Sequence, residues 1–155
     1  GLVEGIFRLP SLKYLPFLQD ELVAVVNAHS KFAVQDEITP EELPDIPLVL
    51  RERGSGTLDV FERALSQHNM KLSSLHVLMY LGSTESIKLF LEHTDCMGIV
   101  SFRSVHKELV AGNLRVVEIK GMPMQREFNF VQLQGQEGGL SQVFMRFAGL
   151  HSKNL

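Results

Sequence analysis

The chain has 155 residues, 45% hydrophobic and 21% charged, and a formal net charge of −3 with histidine neutral. A chain of that length forms one domain or two small lobes and buries roughly two-thirds of its unfolded surface, so it needs no disulfide or metal staple. The charge excludes binding dominated by nucleic-acid phosphates, the lone Cys96 excludes an internal disulfide and suits a reducing cytoplasm, and no apolar run reaches the ~18 residues of a membrane span.

Residues 2–4 read as the tail of a strand that Gly5 ends. Strand-like sequence directly at Gly1 leaves no room for a signal peptide, and the missing initiator Met points to a fragment or a processed chain. Residues 6–17, with Pro10 and Pro16, read as an irregular crossing segment. Residues 21–27, ELVAVVN, are nearly all apolar, the pattern of a strand buried on both faces. After a polar loop over 28–37, Thr39-Pro40-Glu41-Glu42 marks a helix start: Thr39 as N-cap, Pro40 at N1, Glu42 at N3 closing a capping box. Pro44 and Pro47 hold that helix to about one turn.

Residues 47–65, PLVLRERGSGTLDVFERAL, are the most informative stretch. A short apolar strand ends in charge at Arg51, a tight turn runs from Glu52 to Thr57, and a helix starting near Thr57 carries Leu58, Phe61 and Leu65 on one face. Such a turn aims free backbone N–H groups, with the Ser55 and Thr57 hydroxyls, past the carboxyl end of a strand, where anions are favoured. Taken locally, this is either part of a small-anion or polar-ligand site or the capped helix of an ordinary α/β unit. Residues 75–81 repeat the arrangement as a strand before Gly82-Ser83-Thr84-Glu85, with Ser83 as N-cap and Ile87, Phe90 and Leu91 as the apolar face. A strand over 97–102, a helix over 104–111 stopped by Gly112, and a strand over 114–119 follow. Gly121-Met122-Pro123 breaks the pattern. Residues 126–134 form a long strand, 135–139 a flexible turn, and 140–150 an amphipathic helix with Leu140, Val143, Phe144, Phe147 and Leu150 on one stripe, before a frayed tail from His151. Alternating strands and helices imply a mostly parallel α/β sheet, with ligands at the carboxyl ends of its strands.

These motifs together resemble a known family. PLVLRERGSGTLDVFERAL, then YLGSTESIKLFLEHTDCMGIVSFRSVHKELVAGNLRVVEIKG, then QREFNFVQLQ and LSQVFMRFAGL are similar to the effector-binding domain of LysR-type transcriptional regulators, and GLVEG with FLQDELVAVVN is similar to that domain's middle. The resemblance implies an α/β, periplasmic-binding-protein-like (type 2) fold with one complete Rossmann-like lobe and part of a second. On that basis residues 27–121 are the second lobe, 18–26 and 122–130 the crossing strands, and 1–17 with 131–150 a remnant of the first lobe. The DNA-binding helix-turn-helix would lie outside this chain. The implied function is sensing of a small anionic or polar effector between two lobes, cytoplasmic, as a homodimer or tetramer that reaches DNA only through the missing domain. No membrane, metal, cofactor or enzymatic turnover is implied. Dimer contacts are expected at the opening strand and at the helix from about Leu58 to Gln67. Thr94-Asp95-Cys96 stands where members commonly have Gly-x-Gly, which implies an altered rim of the cleft.

The ligand-binding candidates are Arg51, Ser55, Thr57, Ser83, Thr84 and Ser101. Arg51 offers a bidentate guanidinium fork, Ser55 to Thr57 and Ser83 to Thr84 form the two turns, and Ser101 matches the family's Ser/Pro position. Alternatives are a surface arginine for Arg51 and plain N-caps for the serines. Cys96 has no resolving cysteine and reads as a buried structural thiol. The six histidines show no metal spacing, and no nucleophile elbow, P-loop or dinucleotide motif is present. Competing functions are a solute-binding protein of a transport system, which needs export, and an α/β enzyme, which needs a reactive constellation.

Overall fold

The computed structural model describes residues 1–4, 8–135 and 138–152; the expected strand end at Gly5, the centre of the 135–139 turn and the tail beyond Ser152 lie outside the described residues. In chain order the elements are β1 (Leu2–Glu4), β2 (Leu12–Asn27), β3 (Glu37–Ile38), β4 (Leu48–Arg51), α1 (Gly56–Gln67), β5 (Val77–Leu81), α2 (Thr84–His93), β6 (Met97–Ser101), α3 (Phe102–Ala111), β7 (Leu114–Val116), β8 (Glu118–Ile119), β9 (Gln125–Leu133) and α4 (Leu140–His151). They form two compact units: Glu21–Gln125, and the flanking stretches Gly1–Asp20 with Arg126–Leu155.

The larger unit has its strands in the order β2-β6-β4-β5, with β7 on the outer side of β2. β4 is parallel to both β5 and β6, whereas β6 and β7 are antiparallel to β2. β4, β5, β6 and β7 therefore run one way and β2 the other, so the sheet is mostly parallel with one reversed strand: hydrophobic runs such as 21–27 record burial on two faces but not strand direction. The expected single strand over 114–119 divides at Val117, whose N–H bonds Ala24 C=O, so that β7 pairs with β2 and β8 pairs in parallel with β3.

Strand alternation sorts this unit's core into two layers. Leu48 and Leu50, with Leu22, Ala24, Val26, Met97 and Ile99, pack against Leu58, Phe61 and Leu65 of α1. Val49, Val25 and Val100 point the other way, onto Ile87 and Leu91 of α2 and Val105 of α3. The apolar faces of α1 and α2 read from helical spacing are thus the ones turned to the core. The caps also form: Thr39 N–H donates to Glu42 Oε2 at 2.7 Å, and Gly112 ends α3 at φ 77° in the left-handed region that favours glycine. The helix after Thr39 is a 3-10 turn, Pro40–Asp45, because Pro44 lies inside it. Gly98 brings α2 onto the sheet: a Cβ there would stand 2.9 Å from Ile87 Cγ2 and 3.2 Å from Leu91 Cδ1.

In the smaller unit β9 lies between β1 and the first half of β2, and β1 runs antiparallel to β9 with Leu2 opposite Phe130. Residues 12–17, expected to be irregular, belong to the 16-residue strand β2. Pro16 lies outside the stretch of β2, Leu22–Asn27, whose pairing with β6 and β7 forms the central ladder, a position where a missing N–H is better tolerated. Arg126 holds the unit's charges together: it donates to Asp20 at 2.8 and 2.9 Å and to Glu4 at 3.1 Å, and stacks over Phe128 at 4.9 Å. Phe17, Phe130 and Phe144 pack in sequence and seat α4. The apolar stripe of α4 is open: Leu140, Val143, Phe144, Phe147 and Leu150 are 59–88% exposed.

Gly98→Ala forces a methyl into the α2–β6 contact, where the neighbouring atoms belong to buried Ile87 and Leu91. Overpacking of this kind costs about 1–3 kcal/mol. Urea unfolding is expected to show a lower midpoint at unchanged slope, and a midpoint equal to that of the parent would mean α2 can lift without cost.

Candidate functional site

Because β4, β5 and β6 are parallel, their carboxyl ends share one edge of the larger unit's sheet, and each hands over to a helix. In space the order is β6–α3, β4–α1, β5–α2. The first N–H groups of an α-helix lack intrahelical partners, and the aligned peptide dipoles place about half a positive charge at that end. The rim therefore collects the amino termini of α1, α2 and α3.

Each sequence-derived candidate sits on or next to this rim. Ser55 is the N-cap of α1, and its Oγ accepts from Leu58 N–H at 3.1 Å. The helix thus starts at Gly56, one residue before the expected position, since the cap is Ser55 and not a residue nearer Thr57. That bond uses an oxygen lone pair and leaves the hydroxyl proton for a second acceptor. Thr57 is buried, so its hydroxyl is turned away from solvent. Gly54, at φ 88°, makes the turn that carries the chain from strand to cap. Ser83 caps α2 as expected: Oγ accepts from Ser86 N–H at 3.1 Å and shares a 2.8 Å bond with Ser86 Oγ. Thr84 follows as the first residue of α2 and is half-buried. Ser101 is the N-cap residue of α3 and buried, and its carbonyl accepts from Ser104 Oγ at 2.7 Å. Arg51 ends β4, but its fork is occupied, with Nε and Nη2 donating to the Glu52 carboxylate at 2.9 and 3.0 Å. That bond holds the Glu52 carboxyl below its ordinary range.

Thr94-Asp95-Cys96 does not shape this rim. It precedes β6, at the amino end of the strand whose carboxyl end is Ser101. Asp95 there accepts a hydrogen bond from Ser30 Oγ. Cys96 is fully buried, and burial together with the Asp95 charge pushes its thiol up to about 11, the opposite of a reactive cysteine. Among the described residues no group of three or more histidine, cysteine or acidic side chains could hold a metal ion. No helix among them is long and apolar enough to cross a membrane.

Two features of the site escaped sequence reasoning. One is Glu52 on Arg51, for which the adjacent opposite charges of RER were the available signal. The other is a largely buried ion pair behind the rim: Lys88 of α2 donates to Glu108 of α3 at 2.9 Å, with Glu85 also 3.0 Å from the ammonium. It ties together the helices that start at Ser83 and Ser101. Their separation by 20 positions in sequence gives no periodic signal.

Comparison with known proteins gives this rim a context. The LysR substrate binding domain family matches residues 1–151. The chain belongs to that family. A curated relative, the "Uncharacterized HTH-type transcriptional regulator YeiE" of Escherichia coli K12, is 31% identical over 148 residues, covering 95% of the chain and 48% of that protein. The chain spans between about a third and a half of the length of the curated relatives it matches. Among solved structures, the Synechocystis PCC6803 CcmR regulatory domain in complex with 2-PG has a TM-score of 0.81 and 24% identity, covering 99% of this chain and 73% of that one. The QuiR effector binding domain in complex with shikimate has a TM-score of 0.77 and 19% identity, covering 99% and 71%. The LysR substrate binding domain described here thus has the periplasmic-binding-protein-like α/β fold of those regulatory domains.

The Lys88–Glu108 pair makes stability depend on pH at both ends. For Lys88, burial alone would lower the pKa, but the bonds to Glu108 and Glu85 outweigh it and raise it above 10.5. That stability is present below 10.5 and lost as pH rises through the raised value. For Glu108, the Lys88 bond lowers the pKa below 4.5, against burial, so its contribution is present above 4.5 and lost as pH falls through the lowered value. Lys88→Met is expected to cost about 2–3 kcal/mol at neutral pH, less than a fully buried pair broken on one side, because Glu108 is left short of a partner. Lys88→Met/Glu108→Met is expected to recover most of it. Denaturant titrations from pH 3 to 11 check both; equal losses in the single and double variants would contradict the account.

Proposed function

We propose that this LysR domain is the effector-sensing part of a transcriptional regulator, binding a small anionic or polar metabolite at the rim of β4, β5 and β6. The observation that carries the reading is the convergence of the α1, α2 and α3 amino termini on one sheet edge. The first N–H groups of these helices and the Ser55 hydroxyl proton are donors, which suit the oxygens of a carboxylate or phosphate. The 2-PG and shikimate bound by the CcmR and QuiR domains support a small polar effector. Binding would act by differential affinity for conformations of the regulator, and so bias DNA contacts made by a helix-turn-helix outside this chain. In this reading the domain binds without turnover, in the cytoplasm, and the solute-binding alternative has no support from the relatives' names. Ser83, Thr84 and Ser101 contribute from the flanking turns, Ser101 chiefly by its position at the start of α3.

The protein also self-associates in this reading. Among the described residues β5 is an edge strand paired only with β4, and its Leu78, Met79 and Tyr80 are exposed. An exposed apolar edge is a template for contact with another chain. Met79→Lys is expected to shift sedimentation equilibrium toward monomer, and an unchanged distribution would exclude the β5 edge from the contact.

The site itself is tested by calorimetric and NMR titration of the chain with inorganic phosphate and a panel of small hydroxy-carboxylates. Chemical-shift changes are expected at the amides of Gly56, Thr57, Thr84, Glu85, Phe102 and Arg103. Ser55→Ala is expected to weaken binding about tenfold, the worth of one hydrogen bond to a charged group, and to cost about 1 kcal/mol of stability as a lost cap. Amide shifts confined to other parts of the chain would refute the rim as the site.

A further inference from the structure

The cationic fork at this rim is already holding a carboxylate. Arg51 shares the sheet face of Val49, the face against which α2 packs, and is the basic side chain at the carboxyl end of β4. Its Nε and Nη2 meet the two oxygens of Glu52 in the parallel, two-bond geometry that guanidinium groups use for external carboxylates and phosphates. The backbone of Glu52 is anchored: its N–H donates to Leu81 C=O at 3.1 Å, and its C=O accepts from Ser55 N–H at 3.2 Å. So the residue that carries the carboxylate opens the very turn that ends in the Ser55 cap. The side chain itself is not anchored in a core. Glu52 is 44% exposed and Arg51 22%. An exposed pair of this kind contributes little to stability and exchanges readily with other partners.

Resting on the anion-binding reading above, we infer that Glu52 is an internal competitor for the effector. Its carboxylate occupies the Arg51 fork while the rim is empty, and an anionic ligand binds by displacing it. Glu52 is then a specificity-determining residue. A ligand offering two oxygens to Arg51 and further oxygens to the helix amino termini replaces everything the displaced carboxylate gave up. A neutral ligand, or one with a single weak acceptor, cannot, and leaves Arg51 closed. The lowered pKa of the Glu52 carboxyl agrees with a competitor that stays ionised through the neutral range.

The test is a ¹⁵N NMR titration of the whole 155-residue chain with inorganic phosphate, on the parent, Glu52→Gln, Arg51→Met and the double variant. Glu52→Gln keeps the shape and removes the charge, so the fork is freed, and phosphate affinity is expected to rise about three- to fivefold. Arg51→Met is expected to weaken binding, and the double variant to behave like Arg51→Met, with no gain. The Arg51 Nε–H resonance should move in Glu52→Gln and move back as phosphate is added, a readout that a fold change elsewhere would not reproduce. Equal affinity in parent and Glu52→Gln would overturn the competition while leaving the rim site in place. The same gain in the Arg51→Met background would overturn it too, by assigning the effect to loss of a nearby negative charge and not to release of the fork. No amide shift at the rim in any of the four proteins would remove the anion-binding reading and this inference together.

Discussion

The parallel pairing of β4 with both β5 and β6 is the constraint on which the larger unit depends. A parallel neighbour cannot be reached by a hairpin, so the chain must return through a crossover, and here each crossover contains a helix. Helices on both faces require strands that are apolar on both faces, which is why Leu48 and Leu50 serve one layer and Val49 the other. They also require close approach, and Gly98 grants it to α2. The same geometry brings the starts of α1, α2 and α3 to one edge. The polar character of that edge is a by-product of how the core is covered, and the serines refine it.

Much of this was legible in the chain. The apolar spacing of Leu58, Phe61 and Leu65 marks the buried face of α1, the Thr39–Glu42 capping box forms, and Ser83 and Gly112 begin and end helices as their residue types suggest. What was not legible falls into physical classes. Strand direction leaves no trace in hydrophobicity, so the antiparallel place of β2 beside β6 was missed. Pro16 argued against a strand, yet it lies in β2 outside the residues that pair with β6 and β7. The exact helix start turned on which hydroxyl capped it, Ser55 or a neighbour. At the site, residue types identified the candidates, but partners did not follow from them. Arg51 is engaged by the next residue, and Thr57 is buried beneath the turn it helps to form.

Two largely buried ion pairs tie separate backbone elements together. Lys88 and Glu108 join α2 to α3, and Arg126 joins Asp20 of β2 to Glu4 of β1 in the smaller unit. Such pairs lose hydration on folding and return most of it in Coulomb attraction, so their net stabilisation is modest. What they add is register. An apolar contact tolerates a slide of an ångström or two, whereas a bidentate bond from Arg126 to Asp20 does not. Asn129, buried on β9 with its side-chain carbonyl unpaired, marks the part of that unit where polar satisfaction is incomplete.

The two units also differ in how the chain reaches them. The larger one is a single run, Glu21–Gln125, and every strand pair it needs is complete once that run exists. The smaller one joins the opening residues to the last, with Gly1 bonded to Val131 and Leu2 opposite Phe130. Closing so long a loop is entropically slow unless something has already brought its ends together. The β1–β9 pair forms only once residues 126–133 are available, whereas residues 21–125 are one continuous run. The larger unit, with its rim, is therefore the part whose strand pairs close without the long β1–β9 loop.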